Sequence, residues 1–428
     1  MTEAARPPSS RPGPSGVAWA LFAAASLALG AWPLIVHSQM KDYPTWYLVG
    51  RAVLDGAPIY PDAGHAPLRF IYPPFAALML APFSLGGLRA MILALAAITA
   101  VSWLIAVRLC SRLAGLPPPR SWWLLALPSV LVLPEIFDLF DLGQPNMMLL
   151  AMVLGGLALL QQRREWSAGT LFGVATALKA FPATILFYLL WRRRWRAAAA
   201  MSALTALCLM LAPAPFRGLD RNLGELRLWA QSMAPTAGGF GQRAAQNWGW
   251  KNQSLIAVTH RIVRPVNAEA EAPAVAPLTL NVLNLSYAQA NLVVLALALA
   301  LGGAFALLLP AEARRTPASD GAEYALLIAM VTIASPEARS YYFVWLLFPF
   351  AVLTLHAALD PSARVRRGLW AAIGLAAALS AVGAPLGPPH LPQALGNMFW
   401  AGLVVIGALG WLMRRTAQPN SSLTDSPS

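Results

Sequence analysis

Charge, cysteine and histidine are all scarce in this chain, and each shortage removes a class of protein. Only 11% of its 428 residues are charged, with 18 acidic side chains, 5 histidines and 2 cysteines. Cys110 and Cys208 each fall in or beside an apolar run and give no disulfide framework. No CxxC, HExxH or GxxxxGKS occurs, and no His or Cys residues cluster at metal-ligand spacing, so redox, zinc-protease and ATP-driven chemistry lose their support. Neither a metal nor a cofactor is expected. The net charge of +13 does not indicate nucleic acid, because the arginines stand at the ends of apolar runs rather than in a basic domain interleaved with aromatics. Anionic lipid is the partner that suits them.

What the chain has in quantity is hydrophobic sequence, 58% of it, and that composition predicts an all-α, polytopic integral membrane protein. The pattern predicts about 12 crossings, near 17–36, 87–108, 121–139, 145–161, 167–179, 181–191, 196–213, 288–309, 322–336, 340–357, 369–386 and 396–413, within one membrane domain over 17–413. Short connections holding Arg108, Arg163, Arg164, Arg192, Arg193, Arg194, Arg196, Arg366 and Arg414 fall on one side, which the positive-inside rule makes cytoplasmic. Two longer segments, about 37–86 and 214–286, then face outward, and both termini lie inside. The polar tails 1–16 and 414–428, rich in Pro and Ser, read as disordered.

Lys179 interrupts this pattern most sharply. It lies in LFGVATALKAFPATILFYLL, and an uncompensated ammonium at membrane depth costs about 2.5 to 3.5 kcal/mol on the gentlest scale. Either it serves an anionic group, or it snorkels to an interface or pairs with a carboxylate on another helix. The apolar segments on both sides are too short to span, so a break is expected at Ala180 to Pro182. Tyr72 to Pro82, apolar but short and bounded by prolines, reads as an interfacial or re-entrant helix.

Polar residues gather on the side predicted to face outward. Asp42 follows the first span beside Tyr43, Trp46 and Tyr47. It reads either as a general base at headgroup level or as the N-cap of a helix beginning near Pro44. Asp138, Asp141, Gln144 and Asn146 occupy a turn between spans, as ligands for sugar hydroxyls, as caps, or as both. Glu337 and Arg339 are a possible site pair or simply an ion pair. The segment GGFGQRAAQNWGWKNQSLIAV is dense in glycine, tryptophan and amides, as a loop packed over a sugar site would be, although a plain surface loop has the same look.

In order, DYPTWYLVGRAVLDGAPIY, FIYPPFAALMLAPF, LGQPNMMLLAM, AGTLFGVATALKAFPATILFYLLWRRRWRAA, NQSL and SPEARSYYFVWLLFP resemble glycosyltransferase family 87, across about residues 40 to 355. These are integral-membrane enzymes of the GT-C fold, similar to polyprenol-phosphate-mannose-dependent α-mannosyltransferases. The resemblance implies that Asp42 is the base in an inverting transfer from a polyprenyl-phosphate sugar. Lys179, Arg339 and, in reserve, Lys251 would hold the leaving phosphate. Gln144, Asn146, Asn252 and Gln253 would position sugar or acceptor, an envelope glycolipid or glycan at the outer face of a bacterial inner membrane.

One block departs from the family. Many relatives carry two histidines where this chain has Tyr341 and Tyr342; tyrosine can donate to a hydroxyl or phosphate but does not shuttle protons near neutral pH. Glu337 and Arg339 are the candidates to compensate. The competing class is a transporter or flippase of lipid-linked or anionic solutes, which also uses broken helices and buried charge; the absence of an internal repeat weighs against it. A non-catalytic scaffold would leave Asp42, Lys179 and the NQSL segment unexplained.

Overall fold

The computed structural model describes residues 16–36, 42–60, 70–115, 123–233, 248–272, 274–312, 315–382 and 388–416. Both predicted disordered tails, apart from Gly16 and Arg414 to Thr416 at their helical edges, and the GGFGQRAAQN part of the amide-rich segment lie outside them. The described residues are helical and contain no strand. The chain begins with α1 (Gly16–Ile35), α2 (Tyr43–Leu54), α3 (Pro74–Ser84) and α4 (Gly87–Leu113). There follow α5 (Trp123–Leu131), α6 (Leu133–Leu142), α7 (Asn146–Gln161), α8 (Glu165–Leu178), α9 (Ile185–Trp191) and α10 (Trp195–Ala206). The short α11 (Ala214–Arg217), α12 (Leu219–Met233) and α13 (Leu255–Val263) occupy the second long segment. The rest is α14 (Tyr287–Leu308), α15 (Pro317–Ala334), α16 (Leu347–Leu359), α17 (Ala363–Ala381), α18 (Leu391–Ala394) and α19 (Asn397–Thr416).

Helices therefore occupy every predicted crossing, but several come as shorter pieces. Five among the described residues are long and apolar enough to cross a membrane singly, or six if α6 and α7, bent by 118° at their junction, count as one broken span. The predicted crossing at 121–139 is divided at Val132, where Pro134 opens α6 without needing a backbone N–H. The chain is a multi-pass membrane protein. Its apolar helices divide by surroundings: 89% of the best window in Ser340–Leu359 is buried, against 6% in Tyr287–Leu308. The first is the centre of the bundle; the second turns nearly all of its apolar surface outward, as a lipid-facing helix does.

Two local features position the candidate site. Gly143 ends α6 in the left-handed conformation, φ 70°, and the N–H of Gln144 closes back onto the Leu139 carbonyl at 3.1 Å. A Cβ on Gly143 would also meet the Tyr43 ring at 2.6 Å, so only glycine fits the bend. Along α8, Gly169 and Gly173 let α10 approach closely, since Cβ atoms there would lie 2.3 Å from the Ala197 carbonyl oxygen and 2.8 Å from that of Met201. Small residues four apart are a means of packing membrane helices where no hydrophobic drive separates lipid from protein. The outcome is a closely packed α7–α8–α10 block.

Candidate functional site

Asp42 stands at the start of α2, yet its side chain does not cap that helix; the residue is itself helical, φ −71°, ψ −18°. Its carboxylate instead accepts a hydrogen bond from Gln144 Nε2. Gln144 Oε1 accepts in turn from the Tyr72 hydroxyl at 2.5 Å, which fixes the amide with its N–H aimed at Asp42. The aromatic residues around Asp42 clamp this arrangement. Tyr43 donates to the Phe140 carbonyl at 2.6 Å, Trp46 to that of Leu142 at 3.2 Å, and Tyr60 to that of Tyr72 at 2.6 Å. Tyr72 keeps its proton, because burial, and then Tyr341, Tyr342, Asp42 and Glu337, push its phenol well above the usual value. It is a permanent donor to Gln144.

The break expected at Ala180 to Pro182 begins one residue earlier, at Lys179. This residue leaves α8 in an extended conformation, φ −154°, ψ 122°, and a 3-10 turn over Phe181–Thr184 follows before α9. Lys179 is buried and does not snorkel. Its Nζ donates to Asn146 Oδ1 at 2.8 Å and lies 4.2 Å from the ring centre of Tyr342, 5.1 Å from that of Tyr72, 5.2 Å from that of Tyr341 and 5.9 Å from that of Phe181. Ring faces attract a desolvated cation by roughly 0.5–2 kcal/mol each, so the cage offsets part of the cost of burial. Glu337 and Asp42 act on it electrostatically as opposite charges, and Arg339 as a like charge. Asn146 is fixed by two more bonds: its Nδ2 donates to the Tyr341 carbonyl at 3.3 Å and its own carbonyl accepts from Trp345 Nε1 at 3.0 Å.

A second charged group adjoins the cage. Arg339 Nε donates to Glu337 Oε1 at 2.8 Å, so the ion-pair reading of these two residues holds geometrically. Arg339 also approaches Glu271 at 3.6 Å, as does Lys251, which gathers both cations at one carboxylate. Burial works against the charge on Arg339, but Glu337, Tyr341 and Glu271 outweigh it and hold the guanidinium above its ordinary range. Asp138 and Asp141 lie within α6 rather than in the turn expected for them; Ser340 donates to Asp138, tying α6 to the same segment, and Asp141 is buried on that helix.

Asn252 and Gln253 have a different employment from the one expected of sugar ligands. Asn252 Oδ1 accepts from the backbone N–H of Ser254 and of Ala338, both at 3.1 Å, while its Nδ2 donates to the Pro336 carbonyl at 3.2 Å. Gln253 donates from Nε2 to the carbonyls of Trp250 at 2.6 Å and Gln393 at 2.7 Å, and its Oε1 accepts from the Met398 N–H at 3.3 Å. The Asn252 amide holds the 336–338 backbone in place, and with it Glu337 and Arg339; Gln253 adds a bond from its backbone N–H to the Ala338 carbonyl at 2.8 Å, while its side chain ties the segment to Gln393 and Met398.

Three members of the cluster are absent from the sequence-derived set. Tyr72 lay in a recognised block, FIYPPF, without a role; Phe181 stood two residues after the lysine; Glu271, in an unremarkable NAEAEAP stretch, gave no signal. Among the described residues no three His, Cys, Asp or Glu side chains converge as a metal site requires. The arrangement sets one carboxylate in a fixed orientation beside a buried lysine and an arginine. That is the equipment for taking a proton at one point and holding anionic oxygen at another.

The sequence profile of glycosyltransferase family 87 matches residues 70–336, more than half of the chain, and the chain belongs to that family. Two curated relatives carry the same description, polyprenol-phosphate-mannose-dependent alpha-(1-2)-phosphatidylinositol mannoside mannosyltransferase. The one from Mycolicibacterium smegmatis is 33% identical over 41% of this chain and 45% of its own length. The one from Mycobacterium tuberculosis is 33% identical over 46% of this chain and 51% of its own length. The chain thus spans about half the length of the curated relatives it matches. Among solved structures, ArnT from Cupriavidus metallidurans in the apo state aligns over 94% of this chain and 78% of its own, at 15% identity and a TM-score of 0.41, a likeness too distant to carry an argument. Asp42, Glu337, Arg339, Tyr341 and Tyr342 lie outside the span matched by the family profile.

Proposed function

We propose that this chain is a membrane glycosyltransferase of GT-C architecture that transfers a hexose, mannose in the first instance, from a polyprenyl-phosphate donor to a glycolipid or glycan acceptor. The observation that carries the reading is the convergence of Asp42, Lys179 and Arg339 on one cluster, through Gln144, Tyr72 and Glu337. Family membership and the descriptions of the two mannosyltransferase relatives support the donor class. The transporter alternative finds no support in these comparisons.

In this mechanism the acceptor hydroxyl gives its proton to Asp42 as its oxygen attacks the anomeric carbon. The bond from that carbon to the phosphate oxygen breaks on the opposite face, so the configuration inverts. The electron pair leaves with polyprenyl phosphate, whose charge Lys179 and Arg339 stabilise, with Lys251 reinforcing them across Glu271. Asp138, Asp141, Asn146 and the hydroxyls of Tyr341 and Tyr342 face the sugar or the acceptor, and Asn252 and Gln253 act by positioning the 336–338 backbone. No metal takes part in a step supplied by these cations. The cluster faces outward from a bacterial inner membrane, with both termini cytoplasmic, an orientation that the arginine distribution supports.

The test is transfer of radiolabelled sugar by the purified protein to extracted envelope glycolipid, from mannose, arabinose and glucose donors in turn. Transfer from the mannose or glucose donor that persists in EDTA, with inverted anomeric configuration, is the expected result. Absence of transfer from both would contradict the reading.

A further inference from the structure

A basic cavity lies far from this site. It is about 620 Å³ in volume and is lined by two turns, one from α7 to α8 and one from α9 to α10. The turns are built alike. Arg163 N donates to Leu160 O at 3.0 Å and Arg164 N to Leu159 O at 2.9 Å; Arg193 N donates to Leu190 O at 3.0 Å and Arg194 N to Leu189 O at 2.8 Å. In both, an arginine takes the left-handed position, φ 60° at Arg163 and 55° at Arg193, where glycine is the unstrained residue. Strained backbone kept at two equivalent places, each adding a guanidinium to one cavity, is the mark of a functional constraint.

The charges there are unbalanced. Arg194 pairs with Glu165 and Glu312, but among the described residues no carboxylate pairs with Arg163, Arg164, Arg193 or Arg196. Trp166 and Trp195, each 60% exposed, line the cavity, and Trp191, 62% exposed, ends α9 just before the second turn. Exposed tryptophan beside arginine at the end of apolar helices marks the headgroup level of a bilayer, and guanidinium pairs bind phosphate in a bidentate manner. The 16 residues of α7 separate this end from Asn146 by about 24 Å, so the cavity and the candidate site belong to opposite leaflets.

We propose that this cavity binds the phosphate of an anionic phospholipid headgroup in the leaflet opposite the candidate site. The tryptophan lining favours a lipid over a dissolved phosphate ester, which would have no use for it. The inference does not depend on the reaction.

The test reconstitutes the full chain in phosphatidylcholine bilayers with a minority of phosphatidylglycerol, and reads the lipids retained after detergent extraction by native mass spectrometry. Wild type should retain phosphatidylglycerol and not phosphatidylcholine. The double variant R163G/R193G should retain about ten- to thirtyfold less, for the loss of two membrane-facing charges. Its Tm should not fall, because glycine suits both backbone positions, so reduced retention cannot be misfolding. Equal retention by variant and wild type, or equal retention of both lipids, would overturn the site. Displacement of phosphatidylglycerol by millimolar glycerol 1-phosphate would overturn the lipid as its occupant.

Discussion

At one end of α7 and α8 a lysine is buried among rings, its ammonium bonded to Asn146, within reach of the charges of Asp42, Glu337 and Arg339. At the other end of the same helices four arginines stand without carboxylate partners among the described residues, beside exposed tryptophans. The first end is a closed, mutually oriented cluster, whose members are fixed by backbone as well as side-chain bonds. The second is open, and part of its orientation comes from strained backbone. The difference separates two uses of positive charge beside hydrocarbon. A cation meant to act on charge that develops during a reaction must be held in advance and desolvated. A cation meant to meet a lipid headgroup gains from staying at the interface.

Substitutions should break this contrast unequally. Lys179→Met, close in volume and without charge, should lower transfer by about 10²–10³, the effect of removing one preorganised oxyanion donor; steady-state kcat measures it. Arg339→Gln leaves Glu337 and Glu271 without their guanidinium and should cost about ten- to a hundredfold in kcat/KM, read with labelled donor. Gly169→Leu addresses the shared helices rather than either end. Its side chain must displace the Ala197 backbone, so the fold should lose about 1–3 kcal/mol, seen as a lowered Tm. The smallest effect belongs to Arg163→Gly alone, which should stabilise the chain by about 1 kcal/mol through relief of the left-handed backbone, by the same measurement, while leaving transfer unchanged.

Much of this organisation was legible in the sequence, because polar residues in apolar runs are costly and therefore informative. The break after α8, expected at Ala180 to Pro182 and found from Lys179 on, and the bend at Gly143 to Pro145 follow from local pattern; the division of the 121–139 crossing at Val132 and the placement of Asp138 and Asp141 within α6 do not. What the lysine does with its charge does not. Its cage takes Tyr72 from before α3 and Tyr341 and Tyr342 from the start of the Ser340–Leu346 turn, contacts that no periodicity reports. Asp42 illustrates the same limit. The capping reading followed from Pro44 and is contradicted by the absence of a cap bond, because Gln144, brought in from a distant bend, supplies a donor instead. Asn252 uses its amide on the 336–338 backbone and Gln253 uses its own on the backbone of Trp250, Gln393 and Met398, which composition cannot distinguish from a ligand-binding amide pair.

The central claim is that the Asp42 carboxylate takes the acceptor's proton in a cluster whose cations hold the departing phosphate. Its most direct test compares wild type with Asp42→Asn, an isosteric change, in sugar transfer and in binding of the polyprenyl-phosphate sugar, on protein of matched Tm. The account predicts that transfer collapses to background while the donor still binds. Equal transfer by the two proteins would contradict it and move the base elsewhere in the cluster, first to Asp138 or Glu337.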